Sequence, residues 1–239
     1  MWHVNGQFRY GTASKSKPTN SVFQSGTTVI ATTGTQHLRE DHWLVDFGIG
    51  RDFGLGNSQA EWTLGVRVAD LRSKLNTNAL TAGATTSGSP VEHGVVTAQQ
   101  RSTFVGAGPR FGVQGDTPLG GSWSFDWLAG VAVLFGERTG QVNSTTVTTL
   151  VAGGTNTTSV VANSSDSAAV FNADAEAGLS YWVNPNLKIT AGYRYDEYFK
   201  ALKTFSVTTT SLSPSGVVIT SSNIDRSFSG PTSRLTSKF

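Results

Sequence analysis

Asp174 and Glu176 stand two residues apart in "NADAEAG", a spacing that sends both carboxyl groups to one side of an extended strand. Paired carboxylates can serve general acid–base chemistry. Interior ion pairing to Arg110 or Arg194, which lie on the polar parity of their own segments, is the stronger reading of the same residues. None of the four histidines (His3, His37, His42, His93) has a metal-ligand spacing such as HxxxH. Serine is too abundant for a Ser/His/acid arrangement to stand out. The glycine-rich "GIGRDFGLG" and "GAGPRFG" are not followed by a helix, as a phosphate-cradling loop requires. Without cysteine the chain has neither disulfides nor a thiolate metal site. The reading assigns no catalytic residue, no metal and no cofactor.

The elements carrying these residues follow a period of two almost throughout. In "WHVNGQFRY", Trp2, Val4, Phe8 and Tyr10 share one parity, opposite Arg9 and its polar neighbours. In 42–53, Trp43, Val45, Phe47, Ile49 and Phe53 oppose Asp46 and Asp52. Next, Trp62, Leu64, Val66 and Val68 oppose Glu61 and Arg67, and Val105, Phe111 and Val113 oppose Arg110. Around 122–138, Trp123, Phe125, Trp127, Val131, Val133 and Phe135 oppose Asp126 and Arg138. Phe171, Leu179 and Tyr181 oppose Asp174 and Glu176, while Leu187, Ile189, Tyr193 and Tyr195 oppose Lys188, Arg194 and Asp196. Seven strands of nine to about sixteen residues result, and 224–239 makes an eighth. Long Ser/Thr/Gly-rich stretches (11–40, 72–100, 139–167, 203–223) alternate with short turns at 54–59, 115–121 and 184–186. The spacing predicts one all-β domain over 1–239, an antiparallel up-and-down barrel with four long loops at one end.

Such alternation fits a soluble barrel, apolar inside, or a transmembrane barrel, apolar outside. Three features favour the membrane. Aromatic residues mark both ends of the apolar face: Trp2, Phe53, Trp62, Trp123 and Tyr181 near the short turns, and Tyr10, Trp43, Phe135 and Tyr195 near the long loops. That is an aromatic girdle. The opposite face carries both charge signs (Arg9, Asp46, Glu61, Arg67, Arg110, Asp126, Asp174, Glu176, Lys188, Arg194, Asp196) with glycine between them, as a narrow lumen filled by ion pairs would. The strands also reach the ~9–11 residues needed to cross a bilayer. Phe104 and Trp182 break the rule by falling on the polar parity. With 14% charged residues, a net charge of +2 and no Lys/Arg block, a nucleic-acid partner is not indicated. "MWHVNGQFRY" has no apolar signal core, so a membrane barrel implies a processed or missing N-terminus.

The stretches "FVGAGPRFGVQGDTPLGGSWSFDWLAGVAVLFG", "DAEAGLSYWVNPNLKITAGYRYDEYFKAL" and "GPTSRLTSKF" resemble the major outer-membrane proteins of the Legionella type. The resemblance covers roughly 40–71, 100–138 and 170–239. It implies a Gram-negative outer-membrane location and passive diffusion of ions or small solutes through a pore. It carries over no catalytic residue. Eight strands enclose a lumen only wide enough for side chains to fill, however, so a filled, non-conducting barrel with a structural or surface-interaction role is the alternative. A soluble lipocalin-like binder is a third. Expected partners are outer-membrane lipid and lipopolysaccharide, and the barrel assembly machinery through the C-terminal strand. Both termini are expected in the periplasm. Phe239 is read as the assembly signal, in a strand that pairs with the first.

Overall fold

The computed structural model describes residues 2–25, 28–55, 58–85, 90–150, 153–209 and 217–237. They form eight strands: β1 (Trp2–Ser25), β2 (Thr28–Leu55), β3 (Ser58–Thr85), β4 (Pro90–Gly120), β5 (Trp123–Leu150), β6 (Thr155–Asn184), β7 (Leu187–Thr209) and β8 (Val217–Ser237). Each runs antiparallel to the next in one up-and-down sheet ordered β1 to β8. Phe239 lies outside the described residues.

The strands are longer than their alternation alone implied. Most of what reads as loop in 11–40, 72–100 and 139–167 is paired strand: Ser14 faces Arg39, Thr33 faces Leu80, and Thr145 faces Ser159. Threonine and valine favour extended backbone, and their hydroxyl and amide neighbours bond across the ladder. Thr33 Oγ1 donates to Asn20 Oδ1 at 2.8 Å, and Thr12 Oγ1 to Asp41 Oδ1 at 2.8 Å. At the other end the reversals are tight. Gly120 and Gly121 take φ of 116° and 59°, a region costly for any residue with a Cβ. Asn186 N donates to Asn184 Oδ1 at 2.9 Å across the Pro185 turn.

The sheet curls until its two ends approach each other. Arg9 on β1 meets Asp196 on β7 at 2.9 Å, and Arg226 on β8 meets Glu40 on β2 at 2.6 Å. The rings of His42 and Phe228 lie 3.9 Å apart. Among the described residues the backbone ladders join β1 through β8 in sequence, and the expected β1–β8 ladder is not one of them. Side chains make that seam. Pro18 on β1 and Pro231 on β8 lack an N–H, a residue sheets tolerate at their edge strands.

One irregularity re-aims a whole segment. Between Tyr198 and Leu202 the β7–β8 register shifts, with Lys200 at φ 54° and its N–H donating to Asp225 Oδ1 at 2.7 Å. This bulge turns Ala201 and Leu202 inward beside Tyr198.

Candidate functional site

Inside the curled sheet lie two stacked layers of side chains, one charged and one apolar. The charged layer is built on Arg67, which β3 projects inward from a strand whose alternate residues (Leu64, Val66) face out. Its guanidinium is fully buried and spans the interior: Nε and Nη2 donate to Asp46 Oδ1 and Oδ2 at 2.7 and 2.8 Å, and Nη1 donates to Asp174 Oδ1 at 2.8 Å. Asn172 Oδ1 accepts from the same Nη1. Arg194 on β7 forms the second hub. It donates to Glu176 Oε2 at 2.9 Å and Asp196 Oδ2 at 3.0 Å, and also to Asp174 Oδ2. Arg9 completes Asp196, with Nη1 at 2.9 and 3.1 Å from its two oxygens. Arg234 on β8 takes the remaining oxygen of Glu176 at 2.8 Å.

Room for this network comes from small residues. A Cβ built on Gly130 would sit 2.8 Å from Asp174 Oδ1 and 2.9 Å from Arg110 Nη2. Arg110 thus lies in the space glycine leaves, 3.5 Å from Asp46 and 3.6 Å from Asp174. With several cations about each shared carboxylate, no ion in this layer is left uncompensated, and that matters because an unpaired buried charge costs several kcal/mol.

The apolar layer adjoins it towards the long-strand end. Leu44, Ala69, Leu71, Phe104, Ala132, Leu134, Val170, Tyr198, Ala201, Leu202 and Phe228 form one cluster, most of them without solvent exposure. Phe104, an exception to the outward aromatic rule, belongs to it with no solvent exposure. Leu134, fully buried, belongs to the inward parity of the run "WLAGVAVLFG", where both faces are apolar and the alternation disappears from the sequence. Its unbroken apolar length was the one signal of an apolar interior.

Towards the short turns the polar face continues. Lys188 Nζ donates to Asp126 Oδ2 at 2.8 Å and lies 5.4 Å from the Trp182 ring centroid, which places the second parity exception inside. Glu61, half-buried, accepts from Gln114 Nε2 at 3.3 Å and also meets Asn5 and His3. Beyond the apolar layer, Arg138 and Lys203 hold Asp166, with Arg138 Nε at 3.1 Å and Lys203 Nζ at 3.2 Å. These partners keep the Asp166 carboxyl below its usual range, the Arg138 hydrogen bond being the main cause.

The outer face is apolar and aromatic. Trp2, Tyr10, Phe53, Trp123, Phe135, Tyr181 and Tyr195 are exposed there, with Trp43 and Trp62 partly covered. Trp2 stacks edge-on with Trp62 at 5.8 Å, and Trp123 meets Tyr181 at 5.1 Å. Trp43 Nε1 donates to Asp70 Oδ2 at 3.2 Å. Arg51, on the outer parity, lies 5.9 Å from the Trp2 ring centroid. Phe47, Ile49, Leu64 and Val66 are about half exposed or more, which is costly in water and favourable in hydrocarbon.

A curled antiparallel sheet with ion pairs inside and an aromatic-edged apolar surface outside has the features of an outer-membrane protein. The chain belongs to the family described as Legionella pneumophila major outer membrane protein precursor, whose profile matches residues 2–239. Among curated proteins no sequence matches it significantly. Two solved structures show slight similarity. The siderophore receptor PiuA from Acinetobacter baumannii is 10% identical with a TM-score of 0.18, and the match covers 99% of this chain and 46% of that one. The chain thus spans less than half the length of that receptor. OmpT, an outer membrane protein of Vibrio cholerae, is 6% identical with a TM-score of 0.14, over 97% of each chain. Scores this low carry no argument, and the family match stands by itself.

Proposed function

We propose that the protein is an integral outer-membrane barrel whose interior is filled, and that it serves as a structural and surface-displaying protein and not as an open diffusion channel. The observation carrying this reading is the pair of layers at mid-interior. Arg67 and Asp174 have no side-chain exposure, and Phe104 and Leu134 behind them have none either. Water that hydrates a permeating ion would have to displace both a closed ion-pair network and an apolar plug. In this reading the termini and short turns face the periplasm and the long strand ends project outward. The nine girdle aromatics sit at the lipid interfaces, lipid and lipopolysaccharide surround the sheet, and β8 engages the assembly machinery. No enzymatic chemistry is assigned to the buried carboxylates, since each oxygen is engaged by a cation.

A diffusion pore is the second reading, favoured by the charge rows and glycines of the inner face. Planar-bilayer recording with purified, refolded protein separates the two. The filled barrel gives no conductance steps above background. Discrete steps whose ion selectivity changes in Arg110→Glu would establish the pore.

A further inference from the structure

Three donor groups outside the buried network converge at the short-turn end: His3 on β1, Asp52 on β2 and Glu61 on β3. One ligand atom from each lies within 4.8 Å of the other two. We infer that His3, Asp52 and Glu61 form a binding site for a divalent transition-metal cation of the Zn²⁺ class. This inference is independent of whether the barrel conducts.

The donor chemistry fits. One imidazole and two carboxylates suit a borderline cation, bound ~2.0–2.2 Å from each donor, with remaining positions left to water. His3 Nδ1 stands 3.7 Å from Asp52 Oδ1, and His3 Nε2 lies against Glu61 Oε1. An imidazole gives one ion a single nitrogen, so a rotation of the His3 ring or of one carboxylate is needed to bring one donor atom from each residue, already within 4.8 Å of one another, around the ion.

The surroundings fit as well. His3 Nε2 is shielded from solvent, yet its approach to Glu61 does not have hydrogen-bond geometry. Glu61 is steadied by neutral amides, from Asn5 and from Gln114 at 3.3 Å, and its ion-pair partner among the described residues is His3. Asp46, Asp174, Glu176 and Asp196 are held instead by arginine. Gln114 holds Oε2 while Asn5 shares Oε1 with His3, so neutral amides orient the carboxylate without neutralising its charge. Glycine at position 50 keeps the space open. A Cβ there would stand 2.5 Å from His3 Nε2 and 2.8 Å from Glu61 Oε1. The ion would clip the end of β1 to the β2–β3 hairpin.

The test is calorimetric titration of untagged, detergent-folded full-length protein with Zn²⁺, alongside His3→Ala, Glu61→Gln and the control His37→Ala. Heat-modifiable gel mobility checks that each variant is folded. One saturable equivalent is expected for wild type and His37→Ala, weakened more than about tenfold in His3→Ala and Glu61→Gln. Excess Ca²⁺ should not compete, because a nitrogen donor disfavours it. Absence of saturable binding overturns the inference. So does wild-type affinity in the folded His3→Ala variant. Should either site variant fail to fold, Gly50→Ala replaces it, with weakened binding expected and undiminished binding counting against the site.

Discussion

Arg67 on β3 and Asp174 on β6 are joined across the whole interior, Nη1 to Oδ1 at 2.8 Å, with neither side chain exposed to solvent. Two strands, β4 and β5, separate them around one side of the sheet, so their bond ties opposite walls together. It also sets what should happen when either partner is removed.

Arg67→Met should destabilise the folded protein by about 3–5 kcal/mol, because Asp46 and Asp174 keep their charge and lose their main donor. Urea unfolding from lipid or detergent measures it. Arg39→Ala, which removes an exposed pair with Asp41, should change stability by no more than about 1 kcal/mol. Equal effects of the two substitutions would show that burial of the network does not matter.

Phe104→Ala should cost about 3–5 kcal/mol, the combined loss of transfer energy and a cavity within the apolar cluster. Phe111→Ala, on the outer face at 46% exposure, removes a side chain that leaves no enclosed cavity, so the loss should be smaller. Thermal unfolding of both variants compares them directly.

Conductance depends on the two layers in series. Phe104→Ala alone should remain electrically silent, since the ion-pair layer stays closed. Phe104→Ala combined with Arg67→Ser should admit ions, read as current in a planar bilayer. A conducting single variant would locate the whole barrier in the apolar plug.

Asp166 offers a pH test outside the aromatic-edged band. Its folded pKa lies below the ordinary aspartate value of 3.8, chiefly because the Arg138 hydrogen bond, with Lys203 beside it, holds the charged form. Its stabilisation is therefore complete above that unfolded value and is lost as pH falls through the folded one. The stability difference between wild type and Asp166→Asn should be constant near neutral pH and shrink on acidification below about 3.8. A difference that persists unchanged in acid would separate Asp166 from the Arg138 interaction.

Much of this architecture was legible in the alternation itself. Charges on one parity and aromatics on the other identify the two faces wherever those faces differ chemically. The sequence is silent where they do not. In 127–136 one face meets lipid and the other packs the interior, so Leu128, Ala132 and Leu134 carry no contrast with Val131 and Val133. The inward turn of Ala201 and Leu202 depends on a bulge at Lys200, a residue type with no preference for positive φ. Strand length was underestimated because serine- and threonine-rich stretches satisfy loop composition and extended pairing equally well. Likewise, no linear spacing connects His3, Asp52 and Glu61. They meet only once three strands are laid side by side in register.

Strands of 21 to 31 residues reach well past the ~9–11 that a bilayer crossing consumes. In the proposed orientation the remainder stands clear of the hydrocarbon on the outer side as paired sheet, so an external partner would meet one parity of its residues. A single-residue insertion in such an extension would exchange the displayed set for the concealed one beyond it. Sequence change in these extensions should therefore come by substitution or by paired insertion, and single-residue insertions should cluster near the reversals.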